Sequence, residues 1–270
     1  MGTEAIHIGT SGFSFEDWKG SFYPHKLAKG RMLDYYLTQF DSVEINSTYY
    51  AIPAARVFEG MLKKVPDDFS FMVKAHQSAT HRRHTMEQET PRYLEAIRPL
   101  VESGKLKGVL LQFPWSFVSS RENAAHIQKC RELFRDLPLF VEFRHASWIK
   151  PELFAWLGKQ ELGYVSVDEP QLANMVPPVV EVTNGIGYVR FHGRNAEKWY
   201  GGDSHLRYDY SYSEDELRNW VGKINQLREK SRELYMFFNN CHLGQAPTNA
   251  KQLMALLGMK PPKLVSDGLI

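Results

Sequence analysis

The chain is expected to fold as an α/β protein, a single-domain (β/α)8 TIM-type barrel with long loops after strands 1 and 7. Three observations predict this. Eight short apolar runs recur along the 270 residues. Helical patterns lie between most of them, and strands alternating with helices require a parallel sheet with crossover connections. Most runs also stop at a polar or charged residue, as they should where strand C-terminal ends meet at one face and build a site.

In chain order the runs are IHIGTSG from Ile6, VEINSTYY from Val43, FSFMVKAH from Phe69, GVLLQFP from Gly108, LFVEFRH from Leu139, YVSVDEP from Tyr164, GYVRFHG from Gly187 and LYMFFNN from Leu234. Short helices are expected over residues 32–40, 54–64, 122–135 and 151–159. Thr90-Pro91 is read as the start of another helix, because proline is tolerated in a first turn. Its apolar face is Tyr93, Leu94, Ile97, Leu100 and Val101. Ser213 and Glu216 form a capping box, followed by Leu217, Trp220, Val221, Ile224 and Leu227 at helical spacing. The last helix is expected to open near Thr248-Asn249 and to stop at Gly258. Two connections are too long to be tight, 10–31 and 193–211, and both should lie over the barrel mouth. Loops of that length in a compact domain usually bind or cover something.

One domain over residues 1–270 suits this length, since such barrels run to about this size. No apolar run approaches the ~20 residues needed to span a bilayer, so no membrane partner is expected. MGTEAIHIGTSG lacks the parts of a signal peptide. Cys130 and Cys241 make neither a disulfide framework nor a zinc pattern. The expected compartment is therefore a reducing cytoplasm. A net charge of +2 permits an anionic partner without demanding one.

Successive strand residues point to opposite faces. Glu44 and Asn46 therefore share a face, as do Glu142 and Arg144, Ser166 and Asp168, and Arg190 and His192. Outward positions pack under helices and should be apolar, so this polar set is expected to point into the barrel or stand at its rim. Lys74, Gln112 and Asn239 or Asn240 join it. The least costly arrangement places Glu44 and Glu142 against Lys74, Arg144 and Arg190, because buried charge must be paired. Those cations keep both carboxylates ionised. The competing outcome is a closed polar network that reacts with nothing.

His76, His145, His192 and His242 end or follow strands, but no HxH or HExxH spacing occurs, so neither a metal nor a cofactor is expected. Cys241 is a weak nucleophile candidate, since neighbours on a strand or turn point apart. An anion site has more support. Barrels often hold phosphate with the loops after strands seven and eight, which here carry Arg190, His192, Arg194, Asn239 and Asn240. Trp115, Phe117, Trp148, Trp199 and Tyr200 lie close in sequence to strand ends, with Trp18, Phe22 and Tyr23 in the first loop. Basic residues among aromatics suit stacking on bases and contact with phosphates. They equally suit lid packing.

GTSGFSFEDWKGSFYP, FDSVEINSTYY, FSFMVKAHQSATH, LLQFPWSF, VEFRHASW, VRFHGRN and FNNCHLGQAPTNA together resemble domain of unknown function 72, the bacterial and archaeal YecE-like proteins. The resemblance runs in order over almost the whole chain. Where such proteins usually carry Trp after GTSG, this one has Phe13. The resemblance implies a TIM-type barrel and no established activity. A likeness of the family to endonuclease IV-type barrels suggests nucleic-acid binding. The metal ligands of those enzymes do not carry over residue by residue.

The expected function is a site at the C-terminal mouth for a small phosphorylated molecule or nucleic acid. Glu142, Asp168, Glu44 and His192 are the candidates for chemistry, with Asp168 or Glu142 as base. Asn46, Lys74, Gln112, Arg144, Arg190, Arg194, Trp148, Tyr200, Asn239 and Asn240 are the candidates for ligand contact. An enzyme here would be a phosphoester hydrolase or lyase. Two alternatives stand beside it: a non-catalytic adaptor for a protein or RNA, and a metal-dependent enzyme of the endonuclease IV or sugar-isomerase kind.

Overall fold

The computed structural model describes residues 5–200 and 206–262. All eight apolar runs form strands: β1 (Ala5–Thr10), β2 (Ser42–Ile45), β3 (Ser70–Lys74), β4 (Leu106–Gln112), β5 (Leu139–Glu142), β6 (Leu162–Asp168), β7 (Ile186–Phe191) and β8 (Glu233–Phe238). They pair in parallel in the order β1-β8-β7-β6-β5-β4-β3-β2. The two ends of that order meet, with Ser11 bridged to Glu44 and the Gly12 N–H donating to Glu44 O at 2.8 Å. The sheet is thus a nearly closed barrel. Its strands are apolar on both faces because one fills the barrel and the other packs under helices.

Those helices are α1 (Met32–Tyr36), α2 (Ala55–Leu62), α3 (Gln77–Thr80), α4 (Met86–Glu102), α5 (Arg121–Phe134), α6 (Pro151–Lys159), α7 (Glu214–Lys230) and α8 (Gln245–Leu256). The capping box at Ser213 and Glu216 is formed. Gly258 follows the last helix at φ +69°, a left-handed stop. Two helix starts differ from expectation. The helix α4 begins at Met86, so Pro91 lies in its second turn and Pro99 near its end. Glu87 and Glu89 in the first turn favour that start through the helix dipole. Thr90 turns its hydroxyl back onto Met86 O at 2.7 Å, beside the bond that Pro91 cannot make. The helix α8 begins at Gln245, which puts Pro247 in the first turn and Thr248 and Asn249 inside.

Between β1 and β2 the ladder is nearly absent, and a side chain replaces it. The Tyr36 hydroxyl accepts from the Thr10 N–H at 2.9 Å and donates to Ser42 O at 3.0 Å. A backbone donor on one strand is thereby joined to a backbone acceptor on the other. Glycine permits the close approach: a Cβ on Gly9 would lie 2.2 Å from Ser42 O.

The first long loop is an aromatic plug. Trp18 is fully buried, donates from Nε1 to Cys241 O at 2.7 Å, and packs on Phe15, Phe22 and Tyr23. Phe22 packs in turn on Tyr35, Tyr36 and Phe40. These rings cover the barrel's side and rim and face one another. Part of the second long loop, residues 201–205, lies outside the described residues. Among the described residues no helix is long and apolar enough to cross a membrane.

Candidate functional site

The inward residues at the strand C-termini build a two-layer polar mouth. In the lower layer Arg190 of β7 lies between Glu44 of β2 and Glu142 of β5. Its Nε and Nη2 donate to the two Glu44 oxygens, each at 2.8 Å, and its Nη1 donates to Glu142 Oε2 at 2.6 Å. The Tyr188 hydroxyl, two residues earlier on the same face, donates to Glu44 Oε2. All four side chains are sealed from water. Burial, then the Glu44 carboxylate, push the Tyr188 phenol well up, so it remains a donor.

Above them lie Arg144, His192, Glu169 and Asn239. Arg144 Nη1 donates to Glu169 Oε2 at 2.8 Å. Its Nε is 2.6 Å from Glu142 Oε1, although the N–H does not aim at that oxygen. His192 Nε2 is 3.1 Å from Glu142 Oε1, and Asn239 Nδ2 is 3.1 Å from His192 Nδ1. Burial, then the Arg144 charge, push His192 down to about 3, so the ring is neutral. Burial acts on Glu142 in the opposite sense, but Arg144 and Arg190 outweigh it and hold the carboxyl well below the usual range. Rings close the top. The Arg144 guanidinium lies 5.8 Å from the centre of Trp199, Arg207 lies 5.7 Å from the same ring, and Tyr208 packs near both Trp199 and His192.

On the opposite wall, Lys74 ends β3. Its Nζ donates to Gln112 Oε1 at 2.8 Å and lies 4.4 Å from the centre of the Tyr49 ring. Among the described residues it has no carboxylate partner within ion-pair distance. The strand end is held firmly, since Lys74 O accepts from Thr48 Oγ1 at 2.6 Å and from the Tyr93 hydroxyl at 3.2 Å.

Charge counting shows what is unusual here. Glu44 and Glu142 balance Arg144 and Arg190, two against two. That leaves Lys74 and Glu169. The pair sums to zero whether both are charged or both are neutral, and burial favours neutrality. Burial, then Arg190, push the Lys74 ammonium down to about 7. Burial pushes the Glu169 carboxyl up to about 8 against the pull of Arg144, which Glu142 also claims. Glu169 Oε1 is buried without a hydrogen-bond partner, and so is Asn46 Oδ1.

Glu44, Lys74, Gln112, Glu142, Arg144, Arg190, His192 and Asn239 therefore share the mouth, and Asn46 stands at its rim. The other five candidates do not line it. Asp168 points outward beneath α7, where it accepts from Arg194 Nε and Nη2, the Tyr212 hydroxyl and Trp220 Nε1 at 2.6–2.8 Å. The inward residue on this strand is the next one, Glu169. A one-residue step exchanges faces, and the expectation that outward positions are apolar fails because Asp168 is fully hydrogen-bonded there. Arg194 is consumed by Asp168 and by Glu216, 3.1 Å away. Asn240 likewise points outward, donating to Tyr210 O and Asn249 Oδ1 at 2.8 Å. Trp148 is core: it stacks on Phe117 and Phe143, and its Nε1 donates to Phe117 O. Tyr200 is exposed at the rim, 6.3 Å from the centre of the exposed Trp115 ring.

Five mouth residues lack a distinctive sequence signal as site residues: Tyr49, Glu169, Tyr188, Arg207 and Tyr208. For Glu169 a faint signal exists, two acids in succession at the end of YVSVDEP. Among the described residues no group of three or more His, Cys, Asp or Glu side chains is arranged to hold a metal ion. A cavity of about 510 Å³ opens beside the mouth, lined by His81, Arg83, His84, Glu122 and His126. Arg83 is tied to Asn123, His126 to Ala79 O and His81 to the Thr80 hydroxyl.

Fold and mouth together define a single-domain (β/α)8 barrel with a buried ion-pair network at its C-terminal end. The model for the family described as "Protein of unknown function DUF72" matches residues 7–268, and the chain belongs to that family. It is 34% identical to the UPF0759 protein YunF of Bacillus subtilis (strain 168), over 94% of this chain and 95% of the relative. A crystal structure of a DUF72 family protein from Thermotoga maritima superposes with a TM-score of 0.88 at 42% identity, covering 94% of this chain and 99% of the other. One from Enterococcus faecalis gives 0.86 at 30% identity, covering 96% and 99%. None of these names carries an activity.

Proposed function

We propose that the mouth is the catalytic site of an acid–base enzyme acting on a small phosphate-bearing molecule, by hydrolysis or by lyase chemistry. The observation that carries this reading is the odd pair left by the charge count. Glu169, pushed up to about 8, favours its protonated form at pH 7 and has a buried oxygen without a hydrogen-bond partner. Lys74 is poised to lose its proton near the same pH. Pairs of groups driven apart in this way identify an acid and a base. Glu44, Glu142 and Arg190 form the scaffold, since each spends its hydrogen bonds on the others. Arg144 and Arg207 flank Trp199 and are the cations suited to meet an anion. Arg207 has no carboxylate partner among the described residues, and it lies in the loop after β7, where barrels commonly hold phosphate.

The test is calorimetric titration with inorganic phosphate and with nucleoside monophosphates at two salt concentrations. Binding should weaken as salt rises, and Arg207→Ala should weaken it further without lowering the melting temperature. No heat with any such ligand at millimolar concentration sinks the phosphate part. A second reading has one observation in its favour, the exposed Trp115 and Tyr200 pair. On that reading the rim docks a partner and Glu169→Gln leaves the docking unchanged.

A further inference from the structure

Among the described residues, each guanidinium within the network has a carboxylate, yet the amine of Lys74 has none. Arg144 meets Glu142 and Glu169, and Arg190 meets Glu44 and Glu142. Lys74 meets an amide oxygen and a ring face. A buried ammonium without a counter-ion is costly, whereas a neutral amine in the same place is not. A neutral amine is also a nucleophile. The Lys74 ammonium is desolvated, although the residue as a whole is less buried than Glu44 and Glu142. Its backbone is pinned, which fixes where the side chain starts.

We propose that Lys74 captures the carbonyl carbon of a small phosphorylated aldehyde or ketone as an imine. This rests on the reading of the mouth as a catalytic site for a phosphate-bearing molecule, and it narrows the substrate class. In the first step the Lys74 nitrogen lone pair forms a bond to the carbonyl carbon. The C=O π pair moves to oxygen, which takes up a proton, and the nitrogen releases one, leaving a neutral carbinolamine. In the second step the hydroxyl leaves as water on taking up a proton, and the nitrogen lone pair forms the C=N bond. The balance is one amine, one carbonyl and one proton giving one protonated imine and one water. No oxidant or metal is needed. Glu169 is the mouth acid that carries a proton at neutral pH, and Gln112 Oε1 can hold the nitrogen's remaining hydrogen. The imine then supplies the electron sink that a lyase reaction at the adjacent carbon requires.

The protonation state supports selectivity. At pH 7 about half of Lys74 is neutral if it titrates near 7. An ordinary lysine, titrating near 10.4, is neutral in about one part in a few thousand.

The experiment is borohydride trapping on the full chain. Dihydroxyacetone phosphate, glyceraldehyde 3-phosphate, pyruvate and unphosphorylated dihydroxyacetone are each offered at neutral pH, and adducts are mapped by peptide mass spectrometry. The expected result is one dominant adduct on the peptide carrying Lys74, formed faster with the phosphorylated ketone than with dihydroxyacetone. Its rate should rise with pH through about 7, and the adduct should vanish in Lys74→Met. Label spread over surface lysines in proportion to exposure, or equal labelling of Lys74→Met, overturns the proposal. The wild-type map alone decides this if that variant does not fold. If dihydroxyacetone labels Lys74 as fast as its phosphate does, the imine stands and the phosphate reading falls. If inorganic phosphate binds but no carbonyl compound labels Lys74, the imine falls and the phosphate reading stands.

Discussion

Arg190 grips Glu44 with two parallel hydrogen bonds, Nε to Oε2 and Nη2 to Oε1, each 2.8 Å long, in a place that water does not reach. The same guanidinium has a third bond to Glu142. One side chain thus ties β7 to β2 and β5 across the barrel.

Removing that side chain strands two carboxylates. Arg190→Met should cost roughly 3–5 kcal/mol in urea unfolding at pH 7, the scale for breaking a buried pair. The deficit should shrink at pH 5, where the stranded carboxyls can take up protons. A loss under about 1 kcal/mol at pH 7 would mean the pair behaves as a solvated one.

Glu142 and Glu169 should pull the pH profile in opposite directions. The folded-state value of Glu142 is depressed, so its contribution is present above the unfolded value near 4.3 and is lost as pH falls through the lower folded value. Glu169 is raised to about 8, so the unfolded chain releases its proton first. Its contribution therefore declines between roughly pH 4.3 and 8, by at most about 1.4 kcal/mol per pH unit. Lys74 opposes that trend only above about 7, where the unfolded chain still holds the proton that the folded one has lost. The clean window is pH 5–7. There, Glu169→Gln should flatten the decline and melt higher than wild type at pH 7. A difference between the two proteins that stays constant over this window would remove Glu169 from the role of acid.

Tyr36→Phe deletes the atom that bridges Thr10 and Ser42 at the barrel seam. A buried N–H and a buried carbonyl lose their partner, at about 1–3 kcal/mol for a group left unsatisfied. Hydrogen exchange at the Thr10 amide should speed up by more than that of the neighbouring β1 amides, which pair with β8. Uniform change across β1 would mean the seam does not open locally.

Asp168 holds four donors from Arg194, Tyr212 and Trp220 beneath α7. Asp168→Asn should lower stability by roughly 1–3 kcal/mol for each buried donor it leaves unpaired. Phosphate titration of the folded variant should match wild type. A variant that keeps its melting temperature but loses ligand binding would return Asp168 to the catalytic set.

The barrel was legible in the sequence because its causes are local. Each strand is a short apolar run, each helix has a period and often a cap, and their alternation leaves few topologies. The mouth was legible in outline for the same reason: Glu44, Lys74, Glu142, Arg190 and His192 end strands, and strand ends converge. Which face each residue takes was decided only by the tertiary structure. The strand β6 is apolar on both sides, so its alternation does not say whether Asp168 or the next residue looks inward, and a step of one reverses the answer. Asn239 and Asn240 pose the same question, and it is settled by Tyr210 and Asn249, residues distant in the chain. The protonation of Lys74 and Glu169 is further still from the sequence. It depends on how many opposite charges are left after Arg144 and Arg190 have been shared out, and on how much water reaches what remains. Those are sums over neighbours that only the closed barrel brings together.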